Sequence, residues 1–180
     1  MSQKVAFQGV FGAFSHEACL ACLPDGEPTP YESFADAIAA VRCGACDLAF
    51  LPVENSSAGP VPEMQSLLPE CGLEIVGEHA WRIRMQLMAV PGARMEDIEV
   101  VSSHPMALKQ CTRIIGELGA QPRPAFDTAG AAQALARSGD KTTAVVAART
   151  AAHRYGLAVL RADVEDAADN TTRFVVLARA

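Results

Sequence analysis

The sequence predicts an α/β protein of two lobes. Three observations carry that reading: strand and helix signals alternate along the chain, a nearly unbroken apolar run at residues 47–53 turns abruptly polar, and a second βα series begins near residue 99. The β-branched stretch at residues 172–178 comes late enough to rejoin the first lobe. The expected division is a first lobe of about residues 1–75 plus 165–180 and a second of about 76–164, with a ligand cleft between them.

Val5 to Phe7 read as a short buried strand, followed by the turn Gly9-Val10-Phe11-Gly12. Ser15 is placed to cap the next helix, with Glu17 in its first turn and Pro24-Asp25-Gly26 as its stop. Thr29 to Glu32 suit a short strand. Ser33 with Asp36 resembles a capping box for a helix whose apolar face runs from Phe34 to Val41, ended by Gly44. Asp47 to Val53 has the pattern of a strand covered on both faces in a parallel sheet. The polar Glu54-Asn55-Ser56-Ser57 follows at its carboxyl end, where open α/β sheets bind ligands.

A helix is expected from about Val61 to Leu68, and a strand-rich stretch from Leu73 to Val90. The second series reads as strand Glu99–Ser102, helix Pro105–Leu118, strand Arg123–Phe126 and helix Thr128–Ala136. Strand Thr143–Ala147, helix Arg149–Tyr155 with Gly156 beyond it, and strand Thr172–Ala178 complete the chain.

Composition narrows the function. With 50% hydrophobic and 20% charged residues, a 180-residue chain can bury a substantial core. The net charge of −6, with 15 scattered Lys and Arg, argues against nucleic acid as a partner but not against a small anion held by a few arginines. No apolar run approaches the ~18 residues needed to cross a bilayer. The opening Met1-Ser2-Gln3-Lys4 leads into only a short apolar run, so a cytoplasmic location is expected. Cys19/Cys22 and Cys43/Cys46 each form a CxxC pair, at the edge of zinc-ribbon spacing. Because the first pair reads as helix, without a zinc knuckle's tight turn, both are read as packed, reduced thiols and no metal is expected.

Six segments in order match a known family: FQGVFGAFSHEA from Phe7, ESFADAIAAV from Glu32, PVENSSAG from Pro52, SHPMALKQC from Ser103, DTAGAA from Asp127 and NTTRF from Asn170. Tyr155, Leu157, Leu160 and Asp166 stand at the family's spacing ahead of Thr172-Arg173-Phe174. The chain resembles the catalytic domain of prephenate dehydratase, a family shared with arogenate dehydratase. The resemblance implies a two-lobed fold of the type II periplasmic-binding-protein kind, an active site in the interlobe cleft, and a homodimer or higher oligomer. Family members usually continue into an ACT domain that binds phenylalanine, whereas the sequence here ends at Ala180. A dehydratase insensitive to phenylalanine at this chain is the corresponding expectation.

The implied reaction expels the ring hydroxyl of prephenate as water and its ring carboxylate as carbon dioxide. Aromatisation drives it, so no metal or other cofactor is expected. The site must hold the molecule and donate a hydrogen bond to the departing hydroxyl. Resemblance gives that donor role to Thr172 and makes Arg173 its catalytic partner, a planar fork suited to a carboxylate. It implies substrate contacts from Ser15, Glu54, Asn55, Ser56, Gln110, Thr128 and Phe174. Strand alternation qualifies this picture, because Thr172 and Phe174 share one face and Arg173 points to the other, where it would brace the site. His104 and His16 stand at helix starts and read as caps as readily as acids. Arogenate is the alternative substrate. A non-catalytic small-anion sensor of the same fold is the rival from another class, and it would have no use for the Thr172 hydroxyl.

Overall fold

The structure, a computed structural model, describes residues 2–180, which divide into two compact α/β units. The first comprises residues up to Val10, Ser15–Ile83 and Asp169–Ala180; the second comprises Phe11–Phe14 and Arg84–Ala168.

In the first unit, strands β1 (Gln3–Gln8), β2 (Gly26–Tyr31), β3 (Leu48–Asn55), β4 (Gly59–Pro60), β5 (Glu74–Arg82) and β11 (Thr171–Ala178) form one sheet. Its order is β2-β1-β3-β11-β5, with β4 paired to β3. β1 runs parallel to β2 and β3, but β11 is antiparallel to both β3 and β5. The apolar strand expected in a parallel sheet therefore lies in a mixed one, since the returning C-terminal strand enters the sheet from the opposite direction. β5 is hydrogen-bonded along its length to β11, and the boundary expected near residue 75 accordingly falls after Ile83.

Alternation along the strands splits this unit's core in two. On one face Val5, Phe50, Phe174 and Val176 pack against Ala18 and Cys19 of helix α1 (Phe14–Cys22). The Phe50 and Phe174 rings stack with centroids 4.4 Å apart. On the other face Ala6, Ala49, Leu51, Val175 and Leu177 meet helices α2 (Phe34–Arg42) and α3 (Pro62–Leu67). Ser33 caps α2 by accepting the Asp36 N–H at 3.0 Å, and its hydroxyl donates to the Asp36 carboxylate at 2.6 Å. Ser15 lies inside the first turn of α1 instead of capping it, because the helix starts at Phe14.

In the second unit the sheet order is β10-β6-β9-β7-β8, built from β6 (Gln86–Ala89), β7 (Val100–Ser103), β8 (Gln121–Pro124), β9 (Thr143–Ala147) and β10 (Ala158–Arg161). β7 runs parallel to β8 and β9, while β6 is antiparallel to β9 and β10. The single helix expected over Pro105–Leu118 is two, α4 (Pro105–Lys109) and α5 (Thr112–Leu118). A tertiary contact makes the break. The Asp166 carboxylate accepts the Thr112 and Arg113 N–H groups at 2.8 and 3.1 Å, while its own N–H goes to the Gln110 carbonyl at 2.7 Å. A carboxylate from a distant segment thus caps a new helix start. Helices α6 (Thr128–Ser138) and α7 (Arg149–Tyr155) lie as expected, whereas β10 carries no signal that had marked it.

Residues 11–14 belong to this second unit because α7 holds them. Tyr155 Oη donates to the Phe11 carbonyl at 3.2 Å, Thr150 Oγ1 to that of Gly12 at 3.4 Å, and Arg154 stacks 4.7 Å over the Phe11 ring. Gly12, at φ +94°, has the Ala151 Cα only 3.3 Å from where a side chain would begin. The glycine permits both the turn and the approach.

Candidate active site

The polar end of β3 meets the first residues of β11 in the first unit. Thr172 stands opposite Asn55, and Arg173 opposite Glu54. The register then shifts, with Phe174 opposite Pro52, so that Val53 is an extra residue on β3. Pro52 has no N–H to give the ladder, a position where strands tolerate a bulge. The bulge reverses the alternation of β3. Val53 and Glu54 both turn to the α2/α3 face, and Asn55 arrives on the α1 face beside Thr172.

Asn55 is held by five side-chain hydrogen bonds, the longest from its Nδ2 to the Thr171 carbonyl at 3.3 Å. Its Oδ1 accepts the backbone N–H groups of Ser57 and Ala58, each at 2.9 Å. Those groups can only donate, which fixes the amide orientation and leaves Nδ2 as the donor elsewhere. Nδ2 donates to Asn170 Oδ1 and to Thr172 Oγ1, both at 2.8 Å. The Thr172 oxygen is therefore an acceptor toward Asn55, and no group among the described residues accepts its own proton. An oxygen that already accepts a hydrogen bond is polarised toward donating another. Thr172 is only 7% exposed and Asn170 2% exposed, so this arrangement is held rigidly.

Ser56 ties the two segments together by backbone contacts. Its N–H donates to the Thr171 carbonyl at 2.9 Å, its hydroxyl donates to the Asp169 carbonyl at 3.0 Å, and that hydroxyl accepts the Thr171 N–H at 2.9 Å. Phe174 lies on the Thr172 face as a buried core ring.

Arg173 points to the opposite face, as alternation requires. Its guanidinium meets Glu54 at 3.4 Å and Glu78 at 3.3 Å, linking all three strands. Val53, Glu54 and Arg173 share a cavity of about 250 Å³ with Met64 and Leu68, which confirms that the bulge puts them on one side. The expected residues thus form two groups: Asn55, Ser56, Thr172 and Phe174 in one, Glu54 and Arg173 in the other.

Ser15 lies in α1, and Gln110 and Thr128 belong to the second unit. Gln110 is the C-terminal cap of α4. Thr128 opens α6, where the Asp127 carboxylate already accepts the Gly130 N–H at 2.5 Å, so the helix N-terminus is met by its own cap. His104 Nδ1 accepts the Met106 N–H at 3.2 Å and caps α4, and the His16 ring stacks on Phe7 with centroids 5.4 Å apart.

Cys19 and Cys46 are buried against opposite faces of the first sheet, which separates the two CxxC pairs. Burial, reinforced by the neighbouring Cys22, pushes the Cys19 thiol up to about 12. Among the described residues no group of three or more His, Cys, Asp or Glu is disposed to hold a metal ion. No helix among them is long and apolar enough to cross a membrane.

Sequence reasoning left two residues without a role. Asn170 fixes the Asn55 amide, and its place at the head of NTTRF was the available signal. Trp81, opposite Thr172 on β5, stands in no motif.

Two α/β units, one of them presenting the buried Thr172 hydroxyl with its proton left to donate, define a class of two-lobed α/β proteins. The family is narrower than that class. The prephenate dehydratase family model matches residues 5–180, and this chain belongs to that family.

A relative from Komagataeibacter europaeus, a bifunctional N-acyl-homoserine lactone acylase/prephenate dehydratase, is 46% identical over 97% of this chain and 62% of its own length. An arogenate dehydratase/prephenate dehydratase from Arabidopsis thaliana, chloroplastic by name, is 41% identical over 98% of this chain and 45% of its own. The crystal structure of a prephenate dehydratase from Arthrobacter aurescens in complex with L-Phe superposes with a TM-score of 0.89 at 30% identity, covering 98% of this chain and 60% of that one. The chain spans about half to two thirds of the lengths of these relatives. Its fold is the two-lobed, periplasmic-binding-protein-like fold of prephenate dehydratase domains.

Proposed function

We propose that this chain carries out the decarboxylating dehydration of prephenate to phenylpyruvate, water and carbon dioxide, in phenylalanine biosynthesis. The observation that carries the reading is the Asn55 amide donating to Thr172 Oγ1 at 2.8 Å, which leaves the threonine proton for the substrate.

In the reaction the bond from the ring to its carboxylate breaks, and its electron pair enters the ring as carbon dioxide departs. The ring expels its hydroxyl on the far carbon, and that oxygen gains basicity as the bond lengthens. Thr172 donates to it, and the bond strengthens toward the transition state, which is the condition for raising kcat. A medium proton completes the water. Asn55 and Asn170 position the hydroxyl, and Ser56 holds the segment that carries it. Arg173, paired with Glu54 and Glu78 on the reverse face, braces the three strands beneath the site. Ser15, Gln110 and Thr128 remain substrate-binding residues of this proposal on the family resemblance alone, whereas Phe174, 1% exposed and stacked on Phe50, supports the Thr172 face from within the core. So does a homodimer or higher oligomer.

Arogenate, the amino-acid analogue, is the second reading, supported by the double name of the Arabidopsis relative. Purified chain is given each substrate separately, with phenylpyruvate followed by absorbance and phenylalanine by chromatography. Turnover of prephenate in preference to arogenate is expected, and inactivity with both would refute the proposal. An N-acyl-homoserine lactone in a third arm addresses the second activity in the name of the Komagataeibacter relative.

A further inference from the structure

Trp81 is the single tryptophan of the chain. It lies on β5 directly opposite Thr172, and residues paired across strands project from the same face of a sheet. Asn55, Thr172 and Trp81 therefore form a row across three strands on the α1 face. The indole packs against the cluster that contains Phe50 and Phe174. Its Nε1–H is, among the described residues, the one buried side-chain polar atom without a hydrogen-bond partner.

Buried donors without acceptors are rare, and a ring this size could have been supplied at lower cost by phenylalanine. The polar neighbours in the row have other engagements. The Asn55 oxygen is taken by two backbone N–H groups, and the Asn170 and Thr172 oxygens receive the Asn55 amide. The missing partner is an acceptor brought from outside, and a substrate with two carboxylates brings several.

We propose that Trp81 lines the substrate site beside Thr172 and donates its indole N–H to a carboxylate of the bound cyclohexadienyl acid. The inference rests on the dehydratase reading above. It assigns Trp81 to binding and Thr172 to the leaving group. The N–H is covered in the free chain, so binding must rearrange the surroundings of the indole, and the emission of a single tryptophan reports that change.

Trp81→Phe keeps an aromatic ring and removes only the donor. Steady-state kinetics of the parent and variant should show KM raised about tenfold with kcat within twofold, as expected for a charge-assisted bond made equally in ground and transition states. Thermal unfolding should show the variant at least as stable, since no orphan donor remains to be buried. In Thr172→Ala, where turnover is slow, prephenate should shift the Trp81 emission saturably. A KM within twofold of the parent, or an emission unmoved by saturating substrate, overturns the assignment. A parent chain inactive on prephenate and arogenate takes down the dehydratase reading and this inference together, whereas an active parent with an unchanged variant KM takes down the tryptophan alone.

Discussion

Replacing Asn55 by Asp tests whether the orientation of one proton controls the rate. The side chain keeps its shape, and one carboxylate oxygen still accepts the Ser57 and Ala58 N–H groups. The other oxygen takes the place of Nδ2, 2.8 Å from both Thr172 Oγ1 and Asn170 Oδ1, so the Asn170 amide must turn its own Nδ2 toward it. Facing an acceptor, the Thr172 hydroxyl turns and gives its proton to the carboxylate. Such a charge-assisted bond has a net worth of about 1.5–3 kcal/mol, and it must be broken before the hydroxyl can serve the leaving group. Loss of one preorganised donor to developing charge costs about 2.7–4 kcal/mol, or roughly 100- to 1000-fold in kcat. The expected fall is therefore about two to three orders of magnitude, similar to that of Thr172→Val. The added charge also repels a dianionic substrate, so kcat at saturating prephenate is the quantity to read. The double variant should be scarcely slower than either single one, since both remove the same donor. A kcat for Asn55→Asp within threefold of the parent, or additive losses in the double variant, would refute the argument.

Arg173→Met removes a guanidinium that meets Glu54 and Glu78 at 3.4 and 3.3 Å on half-exposed side chains; the expected loss of stability is below about 1 kcal/mol by denaturant titration. KM should change little, and a tenfold rise would show that Arg173 touches substrate after all. Asp166→Ala should destabilise the chain by about 0.5–2 kcal/mol through loss of the α5 cap. Burial pushes the Asp166 carboxyl up, but the Thr112 hydroxyl and the Thr112 and Arg113 N–H groups outweigh it, so its folded value lies below the ordinary 3.8. Its contribution is present above that pH and is lost as pH falls through the folded value, so parent and variant stabilities should converge in acid. At pH 8 a disulfide reagent should label the exposed Cys43 first and leave Cys19 and Cys111, whose thiols burial raises to about 12, unreacted until the chain unfolds. Early labelling of either buried thiol would contradict the packing described.

Much of the fold was legible in local patterns. The order of strands and helices, the Ser33 cap, the Gly156 helix end and the extents of β9 and α7 follow from periodicity and capping residues that act within a turn or two. The helix expected across Gln110 failed because its break is made by Asp166, more than fifty residues away in sequence. β10 was missed because its short segment shows neither alternation nor a turn signal beyond Gly156.

The NTTRF segment shows the same division. By itself the sequence determined that Thr172 and Arg173 face opposite ways, because a strand's period of two is set by its own backbone. It also determined the family, through motifs spread from Phe7 to Phe174. Only the tertiary structure decided which partner each residue meets. The extra residue at Val53 exists through the pairing of β3 with β11, and it turns Glu54 toward Arg173 and Asn55 toward Thr172. A register between strands more than a hundred residues apart is a property of the folded sheet, and that register leaves one threonine proton to donate.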